Sequence, residues 1–256
     1  MTTAARQIRF ERTPRGWLMA ACAAIVLLAG CATGPDANPR DPWEPMNRQV
    51  FAFNEAFDEV AFKPVAVAYT AVTPRLVRAG VTNFFNNLGD AWSLFNNVLQ
   101  GKLQASVETY FRLTVNTFWG IGGVFDVATE IGVPAHPEDF GQTLGLWGLP
   151  TGPYLVLPFF GSSNVRDALA TPADTFGYPV TLVNPVALRN SLAALNAVDK
   201  RANFLRAGDL LDESALDKYV FRRDAFLQKR RNDIYDGSPP PEDEDPTEPQ
   251  NSSGKP

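Results

Sequence analysis

Histidine is almost missing from this 256-residue chain: there is one, His136, and only two Cys, against 18 Phe. That scarcity nearly excludes a His/Cys-ligated metal site and leaves a single imidazole for any Ser-His-Asp or Cys-His relay. His136 stands in Pro134-Ala135-His136-Pro137-Glu138-Asp139, a proline-flanked loop with no Gly-x-Ser-x-Gly nearby. A surface or capping role is open to it, and so is a mixed His/Glu/Asp metal site. No Gly-x-x-x-x-Gly-Lys-Ser/Thr loop occurs, so the chain takes no energy from a nucleotide. The Gly120-Ile121-Gly122-Gly123 cluster lacks the strand-to-helix setting of a dinucleotide site and reads as a bend or hinge. With Lys+Arg at 23 and Asp+Glu at 28, the net charge of -5 does not supply the basic surface of a nucleic-acid binder. A hydrophobic fraction of 45% can build a core but not a polytopic membrane protein. After Cys31 there is no long apolar run, no series of ten-residue alternating strands and no internal repeat.

What is present begins with an address. Arg6, Arg9, Arg12 and Arg15 precede an apolar run from Trp17 to Leu28. The run is too short to span a bilayer and suits the apolar region of a secretory signal. It ends in Leu28-Ala29-Gly30-Cys31, which resembles a bacterial lipobox. In that motif the Cys31 thiol receives a diacylglyceryl group and, after cleavage, its amino group takes a third acyl chain; two chains already anchor stably. Ala32 resembles an outer-membrane sorting signal. Cys22 leaves with residues 1–30, so the mature chain has no thiol pair. The expected covalent lipid on Cys31 is its only added group, and no cofactor is expected.

The mature chain divides into a flexible tether at 31–40, a compact region at 41–235 and an acidic, Pro-rich tail at 236–256. The tail has no large apolar side chain to offset its ordering entropy, and disorder is expected there. The compact region reads as mainly α, in short helices broken by Pro and Gly, with at most a short β-hairpin. Helical spacing runs from Val50 to Ala61 and stops before Pro64. Pro74 opens a helix toward Phe85, and Asp90 caps another through Trp92, Phe95 and Leu99. The clearest stripe is Leu103, Val107, Tyr110, Phe111, Thr114, Val115 and Phe118, ending at Gly120. Tyr154–Leu157 is the best strand. Helices resume over 185–197 and 214–234.

Asn shares these helices with aromatic residues: Asn47 and Asn54 beside Phe51 and Phe57, and Asn83, Asn86, Asn87, Asn96 and Asn97 among Phe84, Phe85, Trp92 and Phe95. Asn is a poor mid-helix residue and costly when buried unpaired. Two readings stand: caps and turns around a Phe-rich core, or a lining that is polar on one side and greasy on the other. The basic face of the last helix (Arg222, Arg223, Lys229, Arg230, Arg231) reads either as solvated or as a contact for lipid headgroups.

Several segments resemble the MlaA/VacJ family of outer-membrane lipoproteins: Asp41-Pro42-Trp43-Glu44-Pro45-Met46-Asn47-Arg48, Phe53-Asn54, and Lys63-Pro64 through Tyr69. The most specific are Arg112-Leu113-Thr114-Val115-Asn116-Thr117 through Ala128, Asp139-Phe140-Gly141-Gln142-Thr143-Leu144-Gly145, and Gly152-Pro153-Tyr154 through Ser162, followed by Arg166-Asp167. The resemblance implies a nearly all-helical, ring-like protein in the inner leaflet of the outer membrane, with an amphipathic channel and a trimeric porin as partner. It also implies that phospholipids are removed from the outer leaflet and passed to a soluble periplasmic carrier. Matching to the motifs makes Asn47, Arg48, Asn54 and Asn116 candidate lining residues, and Gly120, Gly122 and Gly123 a candidate flexible gate.

Two rival readings remain at this point. One is a structural lipoprotein docked on a porin or envelope complex that moves no lipid. The other, a lipoprotein hydrolase, is disfavoured by the lone His136.

Overall fold

The computed structural model describes residues 38–241. The expected signal at 1–30, Cys31, the tether as far as residue 37 and the tail beyond residue 241 lie outside the described residues. The described chain is mainly helical with one small antiparallel sheet.

Helix α1 spans Glu44–Phe57 and does not stop before Pro64. Proline has no N–H to donate and its ring crowds the carbonyl four residues back. The helix accommodates this by widening into a π turn over Asp58–Phe62, in which the Lys63 N–H donates to the Asp58 carbonyl, and continues as α2, Lys63–Val72. The two pieces expected after Pro74 are one helix, α3, Arg75–Leu99. Asp90 caps nothing; it sits mid-helix and buried. A short turn through Gly101, whose φ is +70°, leads into α4, Leu103–Phe118, which folds back along α3. The register is set by Asn87 donating to Thr117 Oγ1 at 3.1 Å and by Arg112 facing Asp90 at 3.7 Å.

Next come two short helices with aspartate caps: α5, Val127–Glu130, capped by Asp126, and α6, Phe140–Leu146, capped by Asp139. Strand β1, Tyr154–Leu157, is where the sequence places it, and it pairs with β2, Gly161–Asn164, in the register Tyr154 to Asn164. The Asn164 side chain then caps α7, Val165–Gly177. Helix α8, Val186–Ser214, runs well past residue 197, and α9, Lys218–Ile234, starts at an Asp217 cap.

The hydrophobic core is small. Tyr154 and Val156 of the hairpin pack on Tyr219 and Leu227 of α9, with Val50 and Phe51 of α1 at the edge. Ionic clamps fix α9 on the far side. Arg230 donates to both Asp139 carboxylate oxygens at 2.5 Å and to Asp167 at 2.6 Å. Gly141 makes room for this clamp, because a Cβ there would lie 2.4 Å from Arg230 Nη2.

Candidate functional site

The helix pair α3 and α4 is turned inside out. The α4 stripe expected to be core faces outward: Leu103 is 77% exposed and Phe118 76%, with Val107, Tyr110 and Phe111 also exposed. Of that stripe only Val115 is buried. The face of α4 that packs inward carries Ser106, Thr109, Arg112 and Asn116. Helix α3 repeats the pattern, burying Asn87, Asp90, Ser93, Asn96 and Asn97 while Leu76, Val77, Phe95 and Val98 stand exposed. Among the described residues, buried polar and charged side chains outnumber buried hydrophobic ones. Exposed apolar faces on two neighbouring helices mark a contact surface for a membrane or a protein partner.

Most polar atoms of the buried amides are paired with nearby backbone and with hydroxyl or carboxylate side chains, while Asn87 Oδ1 and Asn97 Oδ1 have no partner. Asn116 donates to Asp126 at 3.0 Å and accepts from the Ala128 N–H at 2.9 Å. Asn97 donates to the Ser93 and His136 carbonyls, and Asn96 accepts from Thr143 Oγ1 at 2.9 Å. Arg112 holds Asp126 at 3.1 Å, Thr129 and the Val133 carbonyl. Asp90 shares this guanidinium at longer range, and burial pushes its carboxyl up to about 6. His136 pairs with Glu108 at 2.5 Å, and Gln104 and then His136 hold the Glu108 carboxyl below its ordinary value.

A cleft lined by no residue of α3 or α4 opens elsewhere. Its main cavity, about 880 Å³, lies among α1, the hairpin tip, α8 and α9, and a neighbouring cavity of about 640 Å³ shares Asn54, Asp58, Phe159, Phe160 and Arg201 with it. Phe51, Phe204, Phe221 and Phe226 give it an apolar lining, and Glu55, Asp58, Lys63 and Arg222 a charged one. The hairpin tip that divides the two cavities is held by Asn54, which donates to the Leu157 carbonyl at 3.0 Å and accepts from the Phe159 N–H at 2.8 Å. Phe159 has a φ of +66° and meets Phe53 and Phe57 edge to face.

The residues named from the motifs therefore occupy different places. Asn54 reaches the cleft. Asn47 is fully buried beneath the hairpin, donating to Asp41 at 2.8 Å and the Tyr154 carbonyl at 3.0 Å and accepting from the Val156 N–H at 2.9 Å. Arg48 is on the outside of α1, paired with Glu44 at 2.7 Å and Asp217 at 2.8 Å, over the Tyr219 ring. Asn116 braces the α4–α5 corner. The Gly120–Gly123 turn is tied to α4 by Gly122 and Gly123 N–H groups donating to the Thr117 and Asn116 carbonyls. A Cβ at Gly120 would lie 2.1 Å from the Phe125 carbonyl oxygen and one at Gly123 2.5 Å from Asn87; Gly122 alone of the three has open space. Sequence reasoning did not place Phe159 or Phe160 in a site and missed the Asp58–Arg201 pair; it offered Arg222 as a headgroup contact but missed its partner Glu55. The signal for Arg201 was hidden because α8 was expected to end at 197.

A family model described as MlaA lipoprotein matches residues 39–233. The chain belongs to the MlaA lipoprotein family. The MlaA of Escherichia coli K12, an intermembrane phospholipid transport system lipoprotein, is 36% identical over 218 residues, covering 83% of this chain and 86% of that protein. An uncharacterised Rickettsia felis relative is 33% identical over 195 residues, covering 76% of this chain and 78% of its own. A chain solved in work on the structural basis for maintenance of bacterial outer membrane lipid asymmetry superposes with a TM-score of 0.67 at 32% identity, over 76% of this chain and 98% of that one. Within the MlaA family frame, the motif residues Asp139, Gly141, Arg166 and Asp167 are those that lock α6, α7 and α9 together.

Proposed function

We propose that this protein is an outer-membrane phospholipid transporter that removes mislocalised phospholipids from the outer leaflet and hands them to a soluble periplasmic carrier. The observation that carries the reading is the inverted pair α3 and α4, with apolar side chains outward and amides and Arg112 inward. Such a body sits stably among acyl chains, anchored further by lipid on Cys31, and no helix among the described residues is long and apolar enough to cross a membrane. In this reading it lies in one leaflet, beside a trimeric porin that spans the bilayer.

The cleft supplies what a moving phospholipid needs. About thirty methylenes exposed to water cost on the order of 24 kcal/mol, and a charged headgroup is penalised in hydrocarbon. Phe159, Phe160 and Phe204 cover the tails while the charged pairs meet the headgroup. In this reading Asn54 lines the path, Asn47 braces the hairpin that forms one of its walls, Arg48 steadies α1 against α9, and Asn116 and the Gly120–Gly123 turn, hinged at Gly122, act apart from the cleft at the α4–α5 corner. No bond is made or broken, so the role is not enzymatic, and lipid moves down a gradient or toward a tighter binder.

The test is outer-leaflet phospholipid in a deletion strain. Complementation with the full chain restores the low wild-type amount. Outer-leaflet phospholipid unchanged by deletion contradicts transport and leaves the non-transporting scaffold.

A further inference from the structure

The cleft is lined by more than apolar surface. Glu55 and Asp58 stand one turn apart at the end of α1 and the start of the π turn, and an arginine from each wall meets them. Arg201 of α8 grips Asp58 through Nε and Nη2 at 2.7 Å each. Arg222 of α9 reaches Glu55 at 2.6 Å, its guanidinium 5.4 Å from the Phe51 ring centroid. All four side chains stay between 21% and 36% exposed, within reach of anything that enters the cavity. Phe159 and Phe160 stand beside them, 64% and 75% exposed. Pairs this accessible contribute little to stability, yet they set opposite charges in alternation along one apolar cleft.

Resting on the transport reading above, the geometry points to a headgroup subsite for zwitterionic aminophospholipids, formed by Glu55, Asp58, Arg201 and Arg222. A phosphodiester takes a carboxylate's place on one arginine, whose planar fork matches two phosphate oxygens. The carboxylate so released accepts the headgroup ammonium. Each charge keeps a partner throughout the exchange. An anionic headgroup bearing only hydroxyls displaces the carboxylate without bringing it a cation, and leaves it short of its partner in a partly apolar cleft.

The experiment uses the full-length, lipidated protein in neutral detergent, incubated with mixed vesicles of phosphatidylethanolamine and phosphatidylglycerol at equal mole fraction. Bound lipid is then measured by mass spectrometry. The wild type is expected to hold phosphatidylethanolamine over phosphatidylglycerol by about threefold, the worth of one partly exposed charge pair. In the double variant Glu55→Gln/Asp58→Asn that bias falls to parity or reverses. The swap Asp58→Arg/Arg201→Asp restores alternating charge and keeps the bias, which separates recognition from damage to the fold. Glycerophosphoethanolamine at millimolar concentration leaves the bound lipid in place, because it lacks tails.

Phospholipid bound without preference, a preference for phosphatidylglycerol, or a bias that survives in the double variant overturns the subsite. Displacement by the tail-free headgroup overturns its assignment to lipid. Binding of no phospholipid at all overturns the transport reading instead, so the two failures are distinct.

Discussion

Asn47 and Asp90 are both buried polar residues, and they are expected to respond to substitution in opposite ways. Asn47 has its oxygen and its nitrogen fully used under the hairpin. Replacing it with Ala leaves Asp41 and two strand backbone groups short of partners, and is expected to lower stability by about 2–4 kcal/mol, read as a fall in the thermal midpoint in detergent. Asp90 carries a charge that burial opposes, with a folded pKa near 6 against 3.8 ordinarily. Between these values the folded protein binds the proton more tightly than the unfolded chain. The favourable contribution is therefore complete below the lower value and lost as pH rises through 6. Asp90→Asn is expected to stabilise the fold by about 1–2 kcal/mol at pH 7.5, read as a higher thermal midpoint, with the advantage shrinking toward pH 4. A lower midpoint for this variant at pH 7.5 contradicts the assignment. The sequence showed that these amides cluster among aromatic residues, and family motifs picked out Asn47 and Asn116. It could not show which way each side chain turns, because that depends on partners more than a hundred positions away, as Asn47 and Val156 are.

At the scale of the helix, the stripe on α4 was legible and its environment was not. Periodicity reports that one face differs from the other; it does not report whether water or lipid lies outside. Leu103, Val107 and Phe111 look like core to a reader who assumes water. The Asn-rich face of α3 was the clue, since amides at one-turn spacing can be buried where they find backbone and hydroxyl partners, as Asn96 and Asn97 do at Trp92, Ser93, His136 and Thr143. In a Cys31→Ala background, which removes the acyl anchor, Val107→Lys/Phe111→Lys is expected to leave helix content in detergent intact and to weaken vesicle association at least tenfold in a flotation assay, given the cost of charge on an outward apolar face in hydrocarbon. The Gly120–Gly123 turn separates two effects. Gly123→Val meets Asn87 as well as a disfavoured φ of +91°, so a loss of more than 2 kcal/mol in stability is expected. Gly122→Val meets only the φ of +69° and is expected to cost about 1–2 kcal/mol while altering lipid flux. Equal flux in Gly122→Val and wild type removes the gate from this turn. The breaks at Pro64 and Asp90 were misjudged for local reasons: a π turn absorbs the proline, and Arg112 occupies the aspartate that might have capped.

Across the whole molecule, two surfaces divide the labour: the outward apolar faces of α3 and α4, and the charged, Phe-lined cleft among α1, the hairpin tip, α8 and α9. The mainly helical class and the single hairpin were readable from Pro, Gly and hydrophobic spacing. The cleft was not, because its walls are drawn from opposite ends of the chain, with Asp58 and Arg201 meeting across 143 positions. Attachment is a separate function. Cys31→Ala is expected to leave a folded periplasmic protein that no longer clears outer-leaflet phospholipid; full barrier function from that variant contradicts the need for the anchor. The most direct measurement places a photoreactive residue at Phe160 or Phe204 in cells labelled with radioactive phosphate. The expected result is a phospholipid adduct at both cleft positions and at Val107 on the lipid-facing surface. Adducts at Val107 with none at Phe160 or Phe204 contradict a lipid path through the cleft.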